Sequence, residues 1–211
     1  MANIILTWVP GGGTIVNQRA LRIAKANGDT PNITTGFNPT NDLNVAANTT
    51  TAENLNTNTV YRFMVKSLCN EGEPFNNTNG VIEGIVFECL DSEDDVTINY
   101  NTAGLTKTAT ITIDLPNHTP IDGGSTITNY TDIKKVELSI YNAANNAVVK
   151  TAVEVTQANG TVIHSFTGLG ASVTYTLRYV LIAELNGVPV RSDATGYLSA
   201  PCTVEFTTSA L

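Results

Sequence analysis

Two histidines, three cysteines and one acidic run are the residues of this 211-residue chain whose types could do chemistry. A histidine works as a base or a metal ligand when a carboxylate, a nucleophile or a second ligand stands at a characteristic spacing, and neither His118 nor His164 has one along the chain. Cys69, Cys89 and Cys202 match no zinc pattern. Cys69 and Cys89 each end a proposed strand and read as small buried apolar groups, with a Cys69–Cys89 bridge as the alternative. Asp91, Glu93, Asp94 and Asp95, in "DSEDD", carry the oxygens a hard cation wants. They lack the "DxDxDG" spacing, so the run reads as a solvated, self-repelling linker, with a calcium site between domains as the alternative. The glycine turns "PGGG" (Pro10 to Gly13) and "DGG" (Asp122 to Gly124) precede no helix and so cannot cradle phosphate, and no "GxSxG" turn exposes a nucleophile. The expectation is a chain with no catalytic, cofactor-binding or metal-ligating residues. Tyr100, Tyr130, Tyr141 and Tyr197 are candidates for a sugar-stacking face, against the reading that they are ordinary sheet residues. Sequons stand at Asn32, Asn48, Asn76, Asn117, Asn129 and Asn159, a number that so much Asn and Thr produces by chance.

The elements that would position these groups are strands. Hydrophobic residues make up 42% of the chain and charged ones only 14%, below the usual share of about 25%. Asn and Thr supply the polarity instead; Thr suits a pleated surface and Asn suits turns. Alternation of apolar and polar residues marks strands at "NIILTWV" (3–9), "VNQRALRIAKA" (16–26), near 43–47, at "TVYRFMVKSLC" (59–69) and at "VIEGIVFECL" (81–90). After the acidic run it marks "VTINYN" (96–101), "TKTATITIDLP" (106–116), "IKKVELSIYNA" (133–143) and "AVVKTAVEVT" (147–156), the last two flanking a hairpin turn at "ANNA". "NGTVIHSFTGL" (159–169), "VTYTLRYVLIAELNG" (173–187) and "YLSAPCTVEF" (197–206) complete the set. The composition break at "DSEDD" divides the chain into 1–90, a linker 91–95, and 96–211.

The two parts share one grammar. Leu55 falls on Leu169, Tyr61 on Tyr175, Phe63 on Leu177 and Val65 on Tyr179, a repeat of domain size. The pattern Leu-x5-Tyr-x-apolar-x-apolar, after an early strand ending in Trp and then Pro, resembles a fibronectin type III domain. In that family the Trp belongs to strand B, the Leu lies before the tyrosine corner and the Tyr opens strand F. "ILTWVP" and "LNTNTVYRFMV" carry all three in the first part; the second keeps Leu169 and Tyr175 but reads "ITIDLP", without Trp. The resemblance implies an all-β chain of two antiparallel β-sandwiches in tandem. It also implies that the first sandwich lacks strand A, because Trp8 leaves no room for a strand ahead of strand B, whereas "VTINYN" supplies one in the second.

Charge and termini narrow the function. With net charge −8 and only eleven Lys and Arg, no basic face is available for nucleic acid. The opening "MANIILTWVPGGG" lacks the basic start of a signal peptide, and no run of eighteen or so apolar residues spans a membrane. We expect a complete, non-enzymatic protein made in a bacterial cytoplasm and functioning in a particle. It would be a bacteriophage virion component of the neck, tail or capsid surface, whose partners are copies of itself and other structural proteins, meeting at sheet edges and loops. The alternative is a bacterial surface adhesin or carbohydrate-binding module.

Overall fold

The computed structural model describes residues 2–7, 17–24, 42–45, 49–68, 77–101, 104, 106–118 and 130–210. All of its regular elements are strands: β1 Ala2–Thr7, β2 Asn17–Ala24, β3 Asp42–Val45, β4 Thr49–Leu55, β5 Tyr61–Leu68, β6 Asn77–Gly84, β7 Val96–Tyr100, β8 Thr106–Asp114, β9 Lys135–Asn142, β10 Val148–Thr156, β11 Thr161–Gly170, β12 Thr174–Leu185, β13 Val188–Arg191 and β14 Cys202–Thr207. They fall into two compact units, the first running to Val86 and the second beginning at Phe87.

Each unit is a pair of antiparallel sheets. In the second, β11-β8-β7 faces β10-β9-β12, with β13 and β14 both pairing with the far edge of β12. Reading β7 to β14 as A, B, C, C′, E, F and a divided G gives the sheets A-B-E and C′-C-F-G, the fibronectin type III order. The strands alternate as a half-buried sheet must: Lys107, Ala109, Ile111 and Ile113 of β8 point inward and are buried, while Thr106, Thr108, Thr110 and Thr112 point outward. The facing layer is Val136, Leu138 and Ile140 of β9 with Leu177, Tyr179 and Leu181 of β12. In the first unit β1 pairs, among the described residues, with β4, and β3-β2-β5-β6 forms the other sheet. These are strands B-E and C′-C-F-G. Among the described residues no strand stands in the strand-A position beside β1. The first core gathers Leu6, Ala52, Leu55, Tyr61 and Phe63, with Ile4 and Ile82 packed against it. Trp8 lies outside the described residues.

The repeat extends to the backbone. In both units strand E carries a bulge at one place: two residues of β4 (53 and 54) oppose one of β1 (3), and two of β11 (167 and 168) oppose one of β8 (108). Asn54 and Gly168 occupy that bulge with φ of 58° and 73°, in the left-handed region that Gly and Asn tolerate best. Leu55 and Leu169 follow, both buried. The next residue in each then donates its backbone N–H to the corner tyrosine: Asn56 N to Tyr61 Oη at 3.1 Å, Gly170 N to Tyr175 Oη at 2.8 Å. Two residues on, Asn58 and Ser172 again have positive φ, 55° and 53°. Their N–H groups bond to the chain just past strand G, at Val86 O (2.8 Å) and Ser209 O (3.1 Å).

Several expected boundaries shift. β4 lies in a Thr-rich stretch that gave little hydrophobic alternation. β6 ends at Gly84, not Leu90, so Ile85–Leu90 is not strand. The sequence reading placed no strand at 188–191; there Asn186 and Gly187, both at positive φ, turn β12 tightly into β13.

Candidate functional site

The residues from Phe87 to Asp95 do not link the units but belong to the second, where they form a lead-in to its first strand. Leu90 N donates to the Tyr179 hydroxyl at 2.9 Å, and that hydroxyl donates to Leu90 O at 3.3 Å. Burial holds the Tyr179 phenol above the ordinary value of 10.0; the backbone bond to Leu90 works against that, and the Asp95 carboxylate adds to it. Phe87 meets Tyr197 edge-on, ring centres 5.1 Å apart. Cys89 forms a disulfide with Cys202, Cα atoms 5.6 Å apart. This corrects the reading of Cys89 as a buried apolar group or a partner of Cys69. The lead-in runs beside β14, whose Cys202 pairs in register with Tyr179, so the disulfide and the Leu90 bonds clip it to one rung of the sheet. Cys69 lies outside the described residues.

The acidic run is a self-satisfied turn within this lead-in. Asp91 N donates to the Asp95 carboxylate at 3.1 Å, Glu93 N to Asp91 Oδ1 at 2.8 Å, and Asp95 N to Asp91 O at 3.0 Å. Among the described residues no three His, Cys, Asp or Glu are grouped to hold a metal ion. The calcium alternative thus gains no support from the geometry.

His118, read from sequence as partnerless, stands beside a carboxylate: its Nε2 lies 3.4 Å from Asp132 Oδ2, with Asp132 buried and His118 partly so. The His118 ring meets Tyr130 edge-on at 5.2 Å, and Tyr130 Oη accepts from Lys134 Nζ at 3.2 Å. His118 and Asp132 stand fourteen positions apart in the sequence, a separation that no spacing argument links. Beside Lys134, a groove of about 140 Å³ is lined by Lys135, Glu154, Ile182, Ala183, Glu184 and Pro189. It is smaller than the roughly 300 Å³ at which small-molecule pockets begin. Lys135 and Glu154 close on each other there at 3.0 Å. His164 packs edge-on against Phe166 at 4.6 Å.

The tyrosines are engaged separately. Tyr130 is buried, Tyr141 lies under the Arg178 guanidinium at 3.8 Å, and Tyr197 packs on Phe87. Tyr100, at the end of β7, is exposed.

What remains is the edge of β1. Its counterpart by fold is β8. Matching the two bulges sets Ile4 on Ala109, Leu6 on Ile111 and Trp8 on Ile113. β8 lies between β11 and β7; β1 has β4 on one side and, among the described residues, no strand on the other. Its sequence "ANIILT" carries no charge, and Ile5 is 74% exposed on the outer face. Ile4 leans across to strand G, its Cδ1 3.2 Å from where a Cβ on Gly84 would stand. The second unit has Phe206 at that rung, packed on Tyr175 with ring centres 5.6 Å apart.

No protein-family model matches the chain, and no curated protein matches it in sequence. Among solved structures it is similar over nearly its whole length to tandem fibronectin type III segments. A two-domain segment of chicken tenascin is 12% identical, with 98% of this chain and 92% of that one covered and a TM-score of 0.47. The first three fibronectin domains of chicken contactin-1 are 14% identical, with 98% and 60% covered and a TM-score of 0.33. The chicken interferon gamma receptor alpha chain is 10% identical, with 99% and 97% covered and a TM-score of 0.34. The chain is a tandem pair of fibronectin type III-like β-sandwiches. Strand order and the duplicated tyrosine corner define that class independently of these likenesses.

Proposed function

We propose that this protein is a non-enzymatic structural component of a particle, a bacteriophage virion protein of the neck, tail or capsid surface that assembles through its sheet edges and loops. The edge of β1, which no strand covers among the described residues, is the observation that carries the reading. An uncharged strand with one side unpaired is what a monomer avoids and an assembling subunit uses. The small number of basic residues, together with the Asn/Thr-rich, lysine-poor composition, directs the reading to a virion. The Cys89–Cys202 bridge suits a protein that works outside a reducing cytoplasm, as a released particle does. Quantitative mass spectrometry of purified particles tests the proposal: the chain is expected at a fixed integer ratio to the other structural proteins. Its absence from particles overturns it.

One observation favours the alternative of an adhesin or carbohydrate-binding module. The outer face of β8 presents Thr106, Thr108, Thr110 and Thr112 in a row, flanked by Thr97, Asn99 and Ser165, without a charge among them. Such a hydroxyl face has the chemistry to hydrogen-bond a sugar chain. Specific, saturable binding on a glycan array that is lost in Thr110→Lys would replace the structural reading with this one.

A further inference from the structure

We infer that the strand-A position beside β1, which no strand fills among the described residues, is filled by β1 of a second copy, the two strands pairing antiparallel about a two-fold axis to give a continuous β4-β1-β1-β4 sheet. The inference rests on the assembly reading above and names the surface and the partner. The second sandwich is its template. There β7 lies antiparallel on β8, pairing Val96 with Ile113 and Ile98 with Ile111, so a strand in this position has apolar residues at alternate places on the core side. β1 meets that requirement itself, with Ala2, Ile4 and Leu6 on the inner face. A two-fold axis normal to the sheet keeps the inner faces of both strands on one side, and makes the contact self-complementary and closed.

Charge selects this edge over others. Each copy carries −8, so copies repel except where a contact surface is neutral. β3 contains Asp42, β4 Glu53, β6 Glu83, and β10 Lys150 and Glu154. β7 is neutral but follows directly on Asp94 and Asp95. β11 is neutral too, but its fold position is an edge in both units, and the outward Ile163 is its only exposed large apolar residue. β1 alone occupies a place that is interior in its own duplicate, and it reads as an interior strand should, with Ile4, Ile5 and Leu6 apolar in succession. Ile5 of each copy then flanks its mate on the outer face. Six residues a side make a small contact, below the roughly 1,000 Å² of a stable interface, so the pairing is weak in solution and strengthened by multiplicity in an assembly.

Light scattering and hydrogen exchange on the full chain between about 10 µM and 1 mM test this. The mass is expected to rise toward twice 22.4 kDa, and the β1 amides to gain protection with concentration while those of β8 do not change. Ile5→Lys, on an exposed position that packs against nothing in the core, is expected to raise the dimer dissociation constant at least tenfold. A chain that stays monomeric with concentration-independent exchange in β1 overturns the inference. So does a dimer that Ile5→Lys leaves intact with its β1 amides unprotected. If such a chain is nevertheless found stoichiometrically in particles, the structural reading stands and only the β1 pairing falls. If the dimer forms but the chain is absent from particles, the pairing stands and the virion reading falls.

Discussion

In the second sandwich β8 lies between two strands; in the first, its counterpart β1 has one among the described residues. The second also has a lead-in clipped to strand F and strand G by a disulfide and by Tyr179, whereas the first has Val65 at the position matching Tyr179. Yet the E–F corners of the two agree residue by residue, in bulge, positive φ, buried Leu and tyrosine bond. The difference separates two jobs in the fold. The corner joins the sheets of each sandwich and is kept wherever a sandwich exists. The A edge is peripheral: β7 closes it in the second sandwich, and no described strand closes it in the first.

The largest way to break the asymmetry is to unclip the lead-in. The Cys89–Cys202 bridge closes a loop spanning 113 residues, nearly the whole second unit. Replacing both cysteines by serine is expected to cost that unit about 3 kcal/mol, mainly by freeing its unfolded chain. Hydrogen exchange in increasing urea reads the two units apart: β8 and β12 should open earlier, and β4 and β5 at their original concentration. Equal loss in both units would show that the bridge is not a feature of the second alone.

Tyr179→Phe comes next. It leaves the buried N–H and C=O of Leu90 without their partner, a loss of about 2 kcal/mol in the second unit. It also changes the pH response. The folded phenol is held above 10.0, so below that value both states keep the proton and stability is unaffected by it. As pH rises past 10.0 the unfolded chain loses a proton the folded one retains, and stability falls. The wild type should therefore show an alkaline decline in second-unit stability that Tyr179→Phe reduces; an unchanged slope would mean that other groups set it.

The corner itself predicts symmetry. Tyr61→Phe and Tyr175→Phe each strand one backbone N–H, of Asn56 and of Gly170, and each is expected to destabilise its own unit by about 1.5 kcal/mol. Thermal unfolding of the two variants checks this, and a marked inequality would mean that the corners bear different loads.

The corner was legible in the sequence because its signal is local. A Leu and a Tyr six apart, followed by period-two alternation, lie within a dozen residues and occur twice. The disulfide was not legible, because Cys89 and Cys202 meet only after the lead-in is laid beside strand G. Placing Cys89 just ahead of strand A and Cys202 in the last strand would have suggested it. Asp132 beside His118 was hidden in the same way, by a separation of fourteen positions. The strand β4 gives no alternation because Ala52 and Leu55 are the apolar residues of "TTTAENL", too few for a period to show. The start of the second unit was misplaced by composition: the acidic run looks like a linker, but its carboxylates cap their own turn.

The smallest effect sharpens the comparison most. Asn54 and Gly168 hold the same left-handed bulge position with different residues. If the bulges are equivalent, what matters is tolerance of positive φ and not the side chain. Around Gly168 a Cβ would meet only Lys150 Nζ at 3.6 Å, so space is not limiting. Exchanging the two, as Asn54→Gly with Gly168→Asn, is then expected to move either unit by less than about 0.5 kcal/mol, whereas Ala at either place should cost about 1 kcal/mol through backbone strain. Asn54 N also donates to Asn3 Oδ1 at 3.3 Å, an exposed bond that glycine leaves in place because the donor is the backbone. Urea midpoints of the swap and of the two alanine variants measure this. A swap that costs one unit as much as alanine does would mean that the bulges, alike in dihedral angle, are held by different forces.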